Sequence, residues 1–189
     1  MKNVRILFFF ITIFALQGIS LAGAEDLRIE FSGYNFEKET LLTYFSIKGD
    51  ISFDTIDAIR NGITAKLYIT FQLSKSGGFL GIGKTIYAEK VETFNLSYDV
   101  WDNVFIVEER SRKLRQSVKK PSEIVEFING AINPLSLSIV TVKGDKKLYM
   151  RARIRIQTIK LFPPFGIFMI FFDPWNYESG WFYIEIHRS

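Results

Sequence analysis

The chain has no cysteine among its 189 residues and only one histidine, His187. Without thiols it forms no disulfide, no thiolate zinc site and no Cys-His nucleophile pair. A Ser-His arrangement needs its base held by a third group, and the single imidazole, two residues from the last position, reads instead as an exposed residue at a strand end. No internal repeat, low-complexity tract or linker divides the sequence. Positive charge is also scarce where it would matter. The formal net charge is +4, and it falls to +2 when Lys2 and Arg5 are set aside with the first 24 residues. Such a balance argues against a generic nucleic-acid binder.

Those first residues, MKNVRILFFFITIFALQGISLAGA, combine a charged start, an apolar run from Ile6 to Leu16 and a closing Ala22-Gly23-Ala24. That order is the pattern of a cleavable secretory signal. The apolar run has eleven residues, against about twenty for a membrane-spanning helix. The expectation is a signal peptide over 1–24 and a single β-rich extracytoplasmic domain over 25–189, periplasmic or secreted after cleavage near Ala24. Retention at the inner membrane by an uncleaved anchor is the alternative, because Ile6 to Ala24 carries no charge. A lipoprotein anchor is excluded, since no cysteine follows the small residues. With no disulfide available, stability must come from burial, and 19 Phe, 8 Tyr and 3 Trp supply the apolar area.

What the rest of the chain does contain is short segments of period-two hydrophobicity. Leu27, Ile29 and Phe31 share one side of a first strand. Leu67, Ile69, Phe71 and Leu73 share one side of another, and Phe94, Leu96, Tyr98 and Val100 one side of a third. The pattern is disturbed near Lys90, as a bulge would disturb it. "VFIVEE", "LSIVTV", "KKLYMRARIRIQTI" and "GWFYIEIHR" read as further strands. Two short helices interrupt them. In "SFDTIDAIRNG", Ser52 or Asp54 caps the start, Phe53, Ile56 and Ile59 form one face and Gly62 closes the end. "PSEIVEFINGA" begins at Pro121 and ends near Gly130. The predicted fold class is mainly β (α+β): one antiparallel β-sandwich or curved sheet with two short helices.

One motif invites a different function. "GFLGIGKT", Gly78 to Thr85, fits the phosphate-binding P-loop pattern with Gly78, Gly83, Lys84 and Thr85. A working P-loop needs a helix N-terminus directly after the Lys-Thr pair. Here Ile86 onward alternates as a strand, which places the glycines at a β-hairpin tip and excludes a nucleotide. Asp50, Asp54 and Asp57 cluster near the first helix but lack calcium-loop spacing, and helix capping accounts for them. No catalytic, cofactor or metal site is expected.

Three features remain as candidate contact surfaces. The stretch "RSRKLRQSVKK" is a polar basic loop holding Arg110, Arg112, Lys113, Arg115, Lys119 and Lys120. In "RARIR", Arg151, Arg153 and Arg155 occupy one face of a strand opposite Met150, Ala152, Ile154 and Ile156. Three like charges two residues apart repel, so acidic cross-strand neighbours are required, with Glu89, Glu108 and Glu109 the candidates. "LFPPFGIFMIFFDPW", Leu161 to Trp175, is strongly apolar. It reads as buried core; exposed, it would present Phe168, Ile170 and Phe172 as a contact patch.

The order of these segments resembles a bacterial family, domain of unknown function 4390. The likeness rests on "FSIKGDISF" and "DTIDAIRNGI" running into "TAKLYITFQL", then "LSYDVWDNVFIV", "SEIVEFINGA", "LYMRARIRI" and a closing "NYESGWFYIEI". Tyr98-Asp99 and Ser179-Gly180-Trp181 are its most family-like details. The chain departs from the family in its glycine-rich hairpin tip and in its very apolar "GIFMIFF". The resemblance implies an exported domain of unknown role and no catalytic appearance, and it brings no site residues with it. The functional expectation is therefore an interaction module binding a membrane-associated protein or an anionic membrane surface through Arg112, Arg115, Arg151, Arg153, Arg155, Phe168, Phe172, Trp175 and Trp181. A lipid or apolar-ligand carrier using the Phe-rich segment is the alternative, and a carboxylate-based hydrolase is disfavoured for want of a convergent catalytic set.

Overall fold

The computed structural model describes residues 26–75, 85–109, 111–139, 147–158 and 176–187. Among these described residues, ten strands and two helices follow in order: β1 (Arg28–Glu37), β2 (Thr40–Lys48), α1 (Phe53–Arg60), β3 (Ala65–Lys75), β4 (Thr85–Asp99) and β5 (Val104–Glu109). Then come β6 (Leu114–Val118), α2 (Pro121–Ile132), β7 (Leu135–Ser138), β8 (Lys147–Thr158), β9 (Tyr177–Glu178) and β10 (Phe182–His187). They form a mainly β, antiparallel fold of two sheets. A small sheet has the order β1-β2-β7, and a large one the order β10-β8-β3-β4-β5-β6, with β9 also paired to β8.

Period-two burial decides which faces meet. On β3, Ala65, Leu67, Ile69, Phe71 and Leu73 all point inward, and on β8 Leu148, Met150, Ala152, Ile154 and Ile156 do the same. The small sheet answers with Leu41, Phe45 and Ile47. Phe45 and Phe71 meet across the interior with ring centroids 4.7 Å apart. The buried Thr43 hydroxyl points at Met150 Sδ, 3.3 Å away. Both helices lie in the layer of the small sheet, α1 against β4 and α2 against β2, β5 and β6. Together they cover the part of the large sheet that three strands cannot reach.

Local signals set the helix ends. The Ser52 hydroxyl accepts from Thr55 N–H at 3.4 Å, and Gly62 takes φ +86° just past α1, a conformation that costs glycine little. At the start of α2, Glu123 Oε2 accepts the Lys119 and Lys120 N–H groups at 2.9 and 3.2 Å. The structure amends several details. Phe53 is exposed, because as the first residue of α1 it precedes the buried face formed by Thr55, Ile56, Ala58 and Ile59. Val100 is likewise exposed, in the β4–β5 turn and past the end of pairing. α2 continues through Gly130 to Ile132. The irregularity in β4 falls at Tyr87, where the register with β3 shifts between Leu73 and Ser74. The basic stretch is not wholly loop: Leu114–Val118 pairs with β5 as an edge strand, since cross-strand bonding does not require apolar side chains.

One connection has no sheet precedent. β7 pairs with β2 only from Thr40 to Thr43, which leaves the rest of that β2 edge without a strand. Two asparagines take over, Asn129 within α2 and Asn133 at its C-cap. Asn129 Oδ1 accepts from Ile47 N–H at 2.7 Å and its Nδ2 donates to Ile47 C=O at 3.0 Å. Asn133 repeats the pattern at Phe45, at 3.1 and 2.6 Å. A carboxamide carries one acceptor and a pair of donors, so each side chain stands in for a neighbouring peptide group.

Candidate binding face

The outer face of the large sheet collects the polar half of each alternating strand. Arg151, Arg153 and Arg155 project from β8, with Gln72, Thr70 and Tyr68 opposite them on β3. Tyr183 of β10 lies beside Arg151. Trp181 stacks on this row: the Arg151 guanidinium lies 4.0 Å from its ring centroid and that of Arg153 4.7 Å. One aromatic face thus holds two cations that would otherwise repel.

A bulge brings Trp181 there. Glu178 lies opposite Arg155 and Phe182 opposite Ala152, so β8 advances three residues while its partner advances four. In a regular strand, Glu178 and Trp181 would face opposite sides of the sheet. The extra residue puts both on the outer face. Ser179 holds the bulge: its N–H donates to Ile154 C=O at 2.9 Å and its hydroxyl accepts Ile154 N–H at 2.9 Å.

Glu178 supplies the counter-charge. It bonds Arg153 and also accepts from Arg155 Nε at 3.1 Å and NH2 at 3.2 Å. Hydrogen bonding from Arg155 holds the Glu178 carboxyl below the usual carboxylate range; slight burial opposes this, and the charges of Arg153 and Arg155 add to it. Arg151 is treated differently. Its Nε donates to Gln72 Oε1 at 2.8 Å, and Gln72 Nε2 donates to Glu89 Oε2 at 2.6 Å. Glu89 therefore does answer the arginine row, but through an amide relay. Among the described residues, no acceptor meets the terminal nitrogens of Arg151.

The other basic residues lie elsewhere. Arg115 is on the outer face of β6 and pairs with Glu108 at 3.4 Å. With strands near 4.8 Å apart, β6 stands about 19 Å from β8. Arg112, in the β5–β6 turn, folds back onto the domain with its side chain still 36% exposed. It bonds the buried Glu92 at 2.6 Å and caps the Ala131 carbonyl of α2, and Lys90 also reaches Glu92 at 3.1 Å. The buried Glu109 accepts the Arg112 N–H at 2.7 Å and the Ser111 N–H at 2.9 Å. Burial raises its pKa, but hydrogen bonds from Ser111 and Arg112 and the Arg112 charge outweigh that and hold it low. Arg112 and Arg115 thus serve different faces, and Arg112 is committed to internal partners. Phe168, Phe172 and Trp175 lie outside the described residues, as do Arg110 and Gly78 to Lys84. Thr85 already begins a strand paired with β3, so no helix follows the P-loop-like stretch.

A cavity of about 20 Å³ is lined by Asp26, Leu27, Asp50, Ser52, Ile156 and Tyr177, room for one water at most. The Tyr177 hydroxyl donates to Leu27 C=O at 2.9 Å beside it, and burial, with Asp26 nearby, pushes that phenol above its ordinary pKa. Among the described residues, no group of three His, Asp or Glu side chains could hold a metal ion. No helix among them is long and apolar enough to cross a membrane.

Sheet order, helical cover and a solvent-facing arginine–tryptophan row define an antiparallel β-sandwich domain with a polar outer face. The chain belongs to the family described as Domain of unknown function (DUF4390), whose model matches residues 24–185. No curated protein and no solved structure matches it.

Proposed function

We propose that this is an exported interaction module that binds an acidic segment of a membrane-associated protein on the outer face of its large sheet. The observation that carries the reading is the Arg151–Trp181–Arg153 stack, with Arg151 still offering its terminal nitrogens. A guanidinium fork matches a carboxylate in two parallel hydrogen bonds, and arginine and tryptophan are the residues that most often dominate protein interfaces. Stacking on Trp181 fixes the guanidinium planes before a partner arrives, which lowers the entropy lost on binding. Gln72 and Glu178 hold the remaining donors in place. The face is preorganised for planar anions, and acid–base or nucleophilic chemistry has no set of groups there.

Crosslinking in intact cells, followed by affinity purification and mass spectrometry of proteins and lipids, tests the reading. One dominant membrane-protein partner is expected, and its yield should collapse for Arg151→Glu combined with Arg153→Glu. Unchanged yield from that variant refutes the assignment of the face. Lipid recovered in place of a protein would replace the module with a carrier.

A further inference from the structure

Antiparallel strands begin and end at the two ends of the sandwich, and one end is unlike the other. At it lie the start of β1, the β2–α1 connection, the β4–β5 turn and the β6–α2 connection. Asp50 and Ser52 share a cavity wall with Leu27 and Ile156. Arg60, at the far end of α1, covers the Phe105 ring at 5.5 Å, at the base of the β4–β5 turn. Four large hydrophobic residues are more than half exposed among the described residues: Phe53 at 72%, Val100 at 60%, Trp101 at 90% and Tyr183 at 62%. The first three are all at this end. Trp101 is the most exposed of them, and its N–H and that of Asp102 are held by Asp99 Oδ1 at 2.9 and 3.3 Å. Folding therefore fixes the tip instead of tucking it away.

The chain also enters the described residues here, at Asp26, two residues after the uncharged stretch from Ile6 to Ala24. Three large apolar side chains exposed at one end of the fold, the end at which the described chain begins, suit a common apolar environment. Trp at the rim of a lipid bilayer suits both its ring and its N–H. The surrounding charge selects the lipid. Asp50, Asp54, Asp57, Asp99 and Asp102 stand with Arg28, Lys48, Arg60, Lys119 and Lys120. This balance of signs gives a purely anionic surface no net attraction, whereas headgroups carrying both ammonium and phosphate match both signs.

We propose that the end bearing Phe53, Val100 and Trp101 rests in the headgroup region of a zwitterionic phospholipid bilayer and sets the orientation of the domain. The strands then stand away from the membrane, and the arginine–tryptophan face points sideways, toward neighbours in the same membrane. This contact does not depend on the identity of any protein partner, and it can fail or succeed independently of the outer-face assignment.

Because the chain has no cysteine, one introduced thiol is a unique label. The full chain, carrying Val100→Cys or Tyr183→Cys and a polarity-sensitive dye, is mixed with phosphatidylethanolamine–phosphatidylcholine vesicles containing a lipid-borne quencher. Quenching at position 100 should exceed that at position 183 several-fold. Adding Trp101→Ser to Val100→Cys should bring it down toward the position-183 level, with the thermal melt unchanged because Trp101 supports no core contact. Equal quenching at the two positions, or none at position 100, overturns the proposal. A rise in quenching in proportion to added anionic phosphatidylglycerol overturns the choice of lipid.

Discussion

Asn129→Ala separates two opposing effects within one side chain. In a helix interior, alanine is favoured over asparagine by up to about 0.7 kcal/mol, so helix propensity alone predicts a stabilised protein. Against this, the substitution strips both partners from Ile47, whose N–H and C=O are held at 2.7 and 3.0 Å. Ile47 is buried, and alanine leaves no group able to reach these atoms. An unsatisfied buried polar group costs about 1–3 kcal/mol. Two of them, with some water entering the gap, cost about 3 kcal/mol, and the net after the helix gain is a loss of about 2–3 kcal/mol. For a domain of this size, that is a fall in Tm of roughly 5–10 °C. Thermal and urea unfolding of the purified protein measure it, with the urea slope unchanged if the native fold persists. A neutral or stabilising result would refute the view that this carboxamide substitutes for a strand.

Two further outcomes follow from the charged groups. Arg112→Ala leaves the buried Glu92 with Lys90 alone and uncaps the Ala131 carbonyl. Discounted for the partial exposure of Arg112, the cost is about 2 kcal/mol by urea unfolding; Arg112→Lys should recover only part of it, since an ammonium lacks the fork that spans both acceptors. Glu178 has a folded-state pKa below its ordinary value near 4.5. Its contribution is therefore present above that value and lost as pH falls through the lower folded value. Unfolding between pH 3 and 6 (roughly the carboxylate range) should show a shallower acid decline for Glu178→Gln than for the parent, and an identical decline would remove Glu178 as its source.

The sequence alone determined what is periodic or local. Two-residue alternation placed Arg151, Arg153 and Arg155 opposite Met150, Ala152 and Ile154. Ser52 and Gly62 bounded α1, and the alternation from Ile86 onward marked β4, a strand where a phosphate loop would need a helix. These are properties of neighbours along the chain, set by backbone sterics and by which side of a pleat each residue occupies. The tertiary structure alone decided what depends on register between distant segments. A one-residue bulge turned Glu178 and Trp181 to the same side, and nothing in "NYESGWFYIEI" marks where it falls. Pairing of β7 with only half of β2 turned Asn129 of α2 and Asn133 at its C-cap into edge caps. Arg112, one of several similar basic residues, met a buried carboxylate twenty positions away and was committed to partners within the fold, while Arg115 paired across the sheet surface. Alternation fixes the face of a residue within its strand; only the pairing of strands fixes what stands opposite.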